Sequence, residues 1–164
     1  MSNRTIYLYD YVAVPYERVR ALLASDAQPL ITEALDAAGT RARTIATQLS
    51  VSIAGFEVGR EISITLGPYS EAREGMASAR LHISWEATDR PSLFPLMEAD
   101  LEALPLTENE TEVVLAGVYR PPFGTAGSVL NSGLLHRIAE ASVRHFFEKI
   151  VQRISREMAP LHWW

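Results

Sequence analysis

The stretch that decides the fold is Tyr119-Arg120-Pro121-Pro122-Phe123-Gly124 followed by SVLNSGLLHRIAEASVRHFFEKIVQRISREM at residues 128–158. Apolar residues recur there at helical spacing on one broad stripe, and polar side chains occupy the opposite side. The stripe contains Leu130, Leu134, Leu135, Ile138, Ala141, Ser142, Phe146, Ile150 and Ile154, and the polar side contains Arg137, Glu140, Arg144, Glu148, Gln152 and Arg156. This spacing predicts one amphipathic helix from Ser128 to Met158, about 45 Å long. No other segment has a helical period of that length, so we expect a sheet to cover the stripe.

Most of the chain before this helix has the alternating apolar pattern of β-strands. A first strand is predicted over residues 6–14, a helix from Tyr16 to Ala24 after Pro15, and a second short helix from Asp26 and Pro29 to near Gly39. About five strands follow between Arg41 and Tyr119, over residues 44–53, 58–66, 79–86, 93–106 and 112–119, with a polar loop at 67–75 and a hairpin loop at 107–111. This order predicts a single α+β domain over residues 1–160, with residues 161–164 as a tail.

The composition excludes several classes of function. The 164 residues include no cysteine, which rules out disulfides, thiolate chemistry and a cysteine-based zinc site. A net charge of −5 argues against nucleic acid and against a strongly anionic membrane surface as partners. No apolar run approaches the ~20 residues of a membrane span, and the N-terminus has no signal-type apolar region. We therefore expect a cytoplasmic protein with no stable membrane insertion.

The element order resembles the START-like superfamily (SRPBCC), which includes Bet v 1-like, polyketide cyclase-like and lipid-transfer-like proteins. The resemblance depends on Tyr11–Val19 for the strand-Pro-helix opening, Leu101–Leu106 with Thr111-Glu112 and Gly117–Gly124 for the last hairpin, and Leu135–Ala141 for the closing helix of bacterial members. It implies a helix-grip fold, in which an antiparallel sheet, typically seven-stranded, curves around the C-terminal helix and leaves an apolar cavity. The superfamily includes carriers, cyclases, hormone receptors and co-chaperones, so the resemblance predicts the fold more closely than the function.

A cavity of this kind would be lined by inward strand positions and by the first half of the long helix. The predicted ligand-binding residues are Leu49, Val51, Ile62, Ile64, Leu81, Ile83, Trp85, Met97, Leu101, Leu135, Ile138, Ser142 and Phe146. For each residue taken alone, a place in a filled core is the interpretation we favour, because burial is the default for apolar residues. As a set they fit a site for a small hydrophobic ligand.

Asp10 and Arg60 are the weak candidates for catalysis. Asp10 interrupts an apolar strand row, where a buried carboxyl could act as acid or base. A solvent-facing position or a salt bridge is the interpretation we favour, because unpaired acids are rarely buried. Arg60 could pair with Asp10 or hold a ligand carboxylate, or could extend to solvent at the sheet end.

Other polar and aromatic residues suggest surfaces rather than catalytic sites. Tyr7, Tyr9 and Tyr11 alternate, so they either present hydroxyls to a ligand or pack against a partner, as in a homodimer. The four histidines show no metal-ligand spacing, and no metal or cofactor is expected. Glu71-Ala72-Arg73-Glu74 is interpreted as a solvated loop, and Glu98, Asp100 and Glu102 as one charged strand face at an edge or in solvent. The terminal Trp163-Trp164 either docks on the domain or on a neighbouring subunit, or is disordered.

Three functions are consistent with these features. The first is binding or transport of a lipid, polyketide or aromatic molecule. The second is a cyclase or dehydratase that uses the same cavity, and the third is a co-chaperone-like interaction module. Because no catalytic constellation is visible, we place the binding function first and leave open whether the protein is an enzyme.

Overall fold

The computed structural model describes residues 4–48, 62–87, 96–120 and 132–157. In chain order, the described elements are β1 (Arg4–Val12), α1 (Tyr16–Ser25), α2 (Ala27–Gln48), β2 (Ile62–Ala72), β3 (Ser78–Ala87), β4 (Leu96–Thr107), β5 (Glu110–Arg120) and α3 (Ser132–Glu157). The strands form one antiparallel sheet in the order β1-β5-β4-β3-β2. Helix α3 packs on this sheet and against α2, which confirms the predicted α+β helix-grip architecture.

The core lies between the concave face of the sheet and the helices. Along β4 the inward residues Met97, Ala99, Leu101 and Ala103 are buried, and each faces an inward residue of β3 and of β5 across the ladder. Burial of alternate residues on one face is the arrangement expected when a sheet covers a core on one side only.

Helix α3 has the predicted amphipathic character. Ile138, Ser142, Phe146, Ile150 and Ile154 are all completely buried. The predicted polar side is exposed at residues 137, 140, 144, 148, 152 and 156. The helix contains 26 residues, and its predicted ends at Ser128 and Met158 lie outside the described residues.

The prediction of a short second helix followed by a strand from residue 44 was wrong. Helix α2 has 22 residues and continues through Gly39 to Gln48. The buried residues Leu30, Ile31, Ala34, Leu35 and Ala38 recur at helical spacing and pack into the core beside α3. Glycine within a helix costs only about 1 kcal/mol relative to alanine, so tertiary packing carries the helix past Gly39. The rest of that predicted strand lies outside the described residues.

The predicted polar loop at residues 67–75 was also wrong in its first half. Strand β2 continues to Ala72, because an irregularity between Leu66 and Tyr69 lets the strand pass Gly67-Pro68 and pair again with β3. Gly67 has a φ of 105°, which favours glycine, and the Gly67-Pro68 peptide bond is cis. The connection to β3 is therefore confined to residues 73–77.

The last hairpin is confirmed and is tighter than predicted. Strands β4 and β5 are joined by Glu108 and Asn109, and Thr107 pairs directly with Glu110. Further along this pair, Gly117 lies opposite Ala99 on the concave face. A Cβ on Gly117 would overlap the Glu98 carbonyl oxygen and lie 2.5 Å from Ala99 Cα. Glycine at this position therefore permits the close approach of the two strands.

Candidate functional site

The candidate site is the apolar interior between the concave sheet face and α3. Of the predicted ligand-binding residues, Leu81, Ile83, Trp85, Met97, Leu101, Ile138, Ser142 and Phe146 are buried there, and Ile64 packs against them half-buried. Ile62 lies in β2 and Leu135 in α3 by their backbones, and Leu49 and Val51 lie outside the described residues. The sheet topology thus brings most of the described members of the set into one cluster. Their role in binding stays a prediction.

An aromatic pair lies in this interior. The rings of Trp85 on β3 and Phe146 on α3 meet edge to face, with centroids 4.6 Å apart and planes at 72°. Pairs with this geometry contribute about 0.5–1.5 kcal/mol beyond the burial of their surface. The contact joins α3 to the sheet, and both side chains are almost completely buried.

Thr111 and Ser142 are polar side chains that are completely buried in this interior. Thr111 Oγ1 donates to the Val14 carbonyl oxygen at 2.7 Å, and Ser142 Oγ donates to the Ile138 carbonyl oxygen at 2.6 Å. Both hydroxyl hydrogens are therefore used within the protein. Each oxygen keeps its lone pairs, so either residue could still accept a hydrogen bond from a ligand.

The two weak catalytic candidates are not brought together within the described structure. Asp10 is exposed, and its Oδ1 accepts a 2.7 Å hydrogen bond from the backbone N–H of Tyr11. This position agrees with the solvent-facing interpretation. Arg60 lies outside the described residues.

A polar cluster that was not predicted from the sequence joins Arg20 of α1 to the end of β2. Glu71 Oε1 accepts hydrogen bonds from the Tyr69 hydroxyl at 2.6 Å and from Arg20 Nη1 at 2.9 Å. Arg20 also pairs with Glu17 at 2.8 Å. The interpretation of Glu71 as part of a solvated loop was therefore wrong, since its side chain is only 17% exposed.

The register of β2 explains why this cluster faces inward. Tyr69 pairs with Leu81 and Glu71 with Ala79, and both partners belong to the buried face of β3. The irregularity after Leu66 changes which alternate residues point inward. The Gly67-Pro68 step inside a strand pattern was the signal in the sequence that could have revealed this change.

Hydrogen bonding and burial shift the pKa values in this cluster in opposite directions. Burial and the hydrogen bond to Glu71 raise the pKa of Tyr69 to about 12. The Tyr69 hydroxyl and the Arg20 guanidinium hold the pKa of Glu71 below its usual value. Burial, with the nearby Glu71 charge, also raises the pKa of Tyr16. At neutral pH the cluster therefore consists of a carboxylate, a guanidinium and neutral phenols.

Tyr119 is another inward-facing residue with a polar group, and it was not among the site residues predicted from the sequence. It lies near the end of β5 opposite Met97, and its side chain is buried. Burial raises the pKa of its phenol, and the charge of Glu140 on α3 raises it further. The described interior thus has tyrosines near both ends, with Tyr69 and Tyr119 on opposite sides of the apolar residues.

The opposite, convex face of the sheet is polar and aromatic. Tyr7, Tyr9 and Tyr11 are 62%, 56% and 51% exposed, and successive ring centroids are 6.2 and 6.0 Å apart. These rings therefore point away from the interior.

The acidic row of β4 also lies on the convex face, and β4 is a central strand rather than an edge. His82 Nδ1 lies 3.0 Å from Asp100 Oδ1, and its Nε2 lies 3.7 Å from Glu98 Oε1. Arg80 pairs with Glu102 at 3.5 Å. The acidic side chains of β4 therefore lie beside basic side chains of β3. No cluster of potential metal ligands is found within residues 4–48, 62–87, 96–120 and 132–157.

Comparisons with known proteins give similarities of structure alone. No protein-family model matches the chain, and no curated protein matches it. A conserved protein from Geobacillus kaustophilus is 11% identical, with 94% of this chain and 97% of that chain covered and a TM-score of 0.47. Zhui aromatase/cyclase from Streptomyces sp. R1128 is 14% identical, with 95% and 96% covered and a TM-score of 0.41.

A third solved structure is norcoclaurine synthase from Thalictrum flavum in complex with dopamine and hydroxybenzaldehyde. It is 9% identical, with 97% of this chain and 90% of that chain covered and a TM-score of 0.41. All three scores lie below 0.5. The fold is therefore defined by this chain's own element order and sheet topology, one antiparallel sheet packed on a long C-terminal helix. Within the described residues, no helix is long and apolar enough to cross a membrane.

Proposed function

We propose that the protein binds a small hydrophobic molecule, such as a lipid, a polyketide or an aromatic compound, between the concave sheet face and α3. The observation that carries the proposal is the chemistry of the described interior. The described side chains with no exposed surface are apolar apart from Thr111 and Ser142, whose hydroxyl hydrogens are already bonded to backbone carbonyls. Such an environment favours apolar ligands and supplies few groups for chemistry.

The inward-facing cluster of α1 and β2 supports the alternative of a cyclase or dehydratase that uses the same interior. Glu71 and Tyr69 would be its acid–base groups. A general acid or base works best when its pKa is close to the working pH. Tyr69, with a pKa of about 12, and Glu71, with a lowered pKa, are both shifted away from neutrality. Binding without turnover therefore remains our first proposal.

The exposed tyrosines of β1 support a third proposal, an interaction module or a homodimer contact on the convex face. Tyr7, Tyr9 and Tyr11 are more than half exposed. Tyrosine is enriched at protein interfaces because its ring is apolar and its hydroxyl is polar. This surface is separate from the interior, so it is compatible with ligand binding.

The first test is native mass spectrometry of the freshly purified protein, followed by solvent extraction of any adduct and uptake of a fluorescent hydrophobic probe. We expect the wild type to carry a stoichiometric adduct or to take up the probe. Ile138→Trp should lose this binding, because the larger indole replaces a completely buried isoleucine and fills the proposed binding space. The matched control is Leu106→Trp, at a side chain that is 51% exposed.

Far-UV circular dichroism and a melting curve establish that Ile138→Trp remains folded, and Ile138→Phe is the smaller replacement if it does not. Equal probe uptake by wild type, Ile138→Trp and Leu106→Trp would refute binding in this interior. A clean mass with no probe uptake in the wild type would shift support to the enzyme or interaction proposals.

A further inference from the structure

A cavity of about 110 Å³ lies between α2 and α3, away from the proposed ligand interior. Leu30, Ala34 and Ala37 of α2 form its apolar part. None of its lining residues belongs to the predicted ligand-binding set. Any binding here can therefore be tested independently of the proposed function.

The remaining lining side chains give this cavity a positive charge. Lys149, Arg153 and Arg156 come from α3, and Glu33 of α2 is the one acid among the lining residues. Glu33 forms an ion pair with Arg153. Three cations and one carboxylate leave two positive charges, in a protein whose net charge is −5.

Among the described residues, Lys149 and Arg156 have no neutralising partner. Within the described part of the chain, neither side chain forms an ion pair or a side-chain hydrogen bond. The neighbouring acid Glu148 lies 3.8 Å from His145 Nδ1 instead. The cavity therefore contains two cationic groups with unused hydrogen-bond donors beside an apolar wall.

The spacing of the three cations adds a repulsive interaction. Residues 149, 153 and 156 are four and three positions apart, so they lie on one face of α3. Like charges at these spacings destabilise a helix, and the ion pair of Arg153 with Glu33 offsets part of the effect. A bound anion would remove the remaining repulsion.

The size of the cavity limits the ligand. A water molecule occupies about 30 Å³ in the liquid, and an engineered cavity of about 150 Å³ accommodates benzene. A volume of about 110 Å³ is therefore enough for an oxyanion group with no more than a short apolar chain.

We propose that the cavity between α2 and α3 binds a small oxyanion, a carboxylate or phosphate group. Lys149 and Arg156 donate hydrogen bonds to it, and Leu30, Ala34 and Ala37 contact its short apolar part. Arg153 remains paired with Glu33 and forms the side of the site. This would be a binding site separate from the sheet–α3 interior.

The test uses inorganic phosphate and butyrate as separate probes at constant ionic strength, with chloride as the reference anion. Binding is measured by the concentration-dependent rise in melting temperature, since a ligand that binds only the native state stabilises it. Amide chemical shifts provide the location of the site, and we expect changes confined to α2 near Leu30–Ala37 and α3 near Lys149–Arg156. In Lys149→Gln/Arg156→Gln the dissociation constant should increase by about tenfold or more, because two charge-assisted hydrogen bonds to the anion are lost.

The matched control is Arg144→Gln, which removes an exposed cation of α3 that does not line the cavity. It should bind both probes as the wild type does. Preferential binding of phosphate identifies a phosphate ligand, and preferential binding of butyrate identifies a short-chain carboxylate. No binding of either probe, or equal weakening in Arg144→Gln, would overturn the proposal. Retained binding in Lys149→Gln/Arg156→Gln would overturn it as well.

Discussion

Glu71 joins two elements that are distant in sequence. Its carboxylate accepts hydrogen bonds from Arg20 of α1 and from Tyr69 of its own strand. The position could not be predicted from the sequence, because the alternation of β2 changes at Gly67-Pro68. A single irregular pairing therefore moves Tyr69 and Glu71 to the concave face.

Replacing Tyr69 with Phe tests the strength of this cluster. We expect a melting temperature lower by a few degrees at neutral pH and a Glu71 pKa that rises towards its ordinary value, because the 2.6 Å hydrogen bond is lost. Thermal unfolding as a function of pH measures the first effect, and the Glu71 side-chain carboxyl shift in NMR titration measures the second.

The pH dependence has a definite sign for each group. The pKa of Tyr69 is raised from 10 to about 12, so the contribution of its phenol to folding stability is complete below pH 10 and is lost as the pH rises towards 12. The pKa of Glu71 is lowered from 4.5, so its contribution is present above pH 4.5 and is lost as the pH falls through the folded-state value. The difference in melting temperature between wild type and Tyr69→Phe should therefore shrink at both low and high pH.

Tyr7→Phe, at an exposed ring, is the control and should have the melting temperature of the wild type at every pH. A difference that does not vary with pH would contradict this account.

At the scale of elements, the position at which α2 ends could not be predicted from local pattern, because it depends on packing against another helix. The alternating residues 44–53 predicted a strand, but residues 44–48 belong to α2. β-Branched residues in that segment favour strands only when a sheet partner is available. Packing of α2 against α3 provides the alternative contacts. By contrast, α3 was predictable because its polar and apolar sides are separated over many turns.

The two buried hydroxyls make different contributions to how the elements are held together. Thr111 of β5 donates to the Val14 carbonyl in the connection before α1. Thr111→Val keeps the shape and leaves that carbonyl without its donor, so we expect a loss of about 1–3 kcal/mol. Ser142 donates to a carbonyl four residues earlier in its own helix. Ser142→Ala should therefore stay within about 1 kcal/mol of the wild type.

Urea denaturation of both variants measures the free energy of unfolding directly. Each change removes one hydroxyl, so each variant is the other's control. Equal losses in the two variants would show that the Thr111–Val14 contact contributes nothing specific to the joining of β5 and α1.

At the scale of the molecule, the centre of the described interior is filled. Ile83, Met97, Leu101, Ile138 and Phe146 are completely buried, so they pack against other protein atoms rather than an open space. A ligand that reaches these residues must therefore displace side chains or separate the sheet from α3. Opening of this kind would limit the rate of uptake.

We predict that the observed rate of hydrophobic probe uptake reaches a plateau as probe concentration rises. Phe146→Leu should raise the plateau rate, because it removes the 4.6 Å edge-to-face contact with Trp85 that joins α3 to the sheet. The same change should lower the free energy of unfolding by about 1–2 kcal/mol. Stopped-flow fluorescence measures the rate, and Leu106→Ala at an exposed site is the control. A rate that stays proportional to probe concentration would show that entry needs no opening step.

The sequence by itself determined the architecture, because local periodicity reports which residues must be covered. The alternation in β3, β4 and β5 and the stripe of α3 required one sheet packed on one long helix, whatever the details of the contacts. The tertiary structure alone decided the extent of α2, the inward position of Tyr69 and Glu71, and the cationic cavity between α2 and α3. Each of these depends on contacts between residues far apart in the chain, and local periodicity contains no information about such contacts.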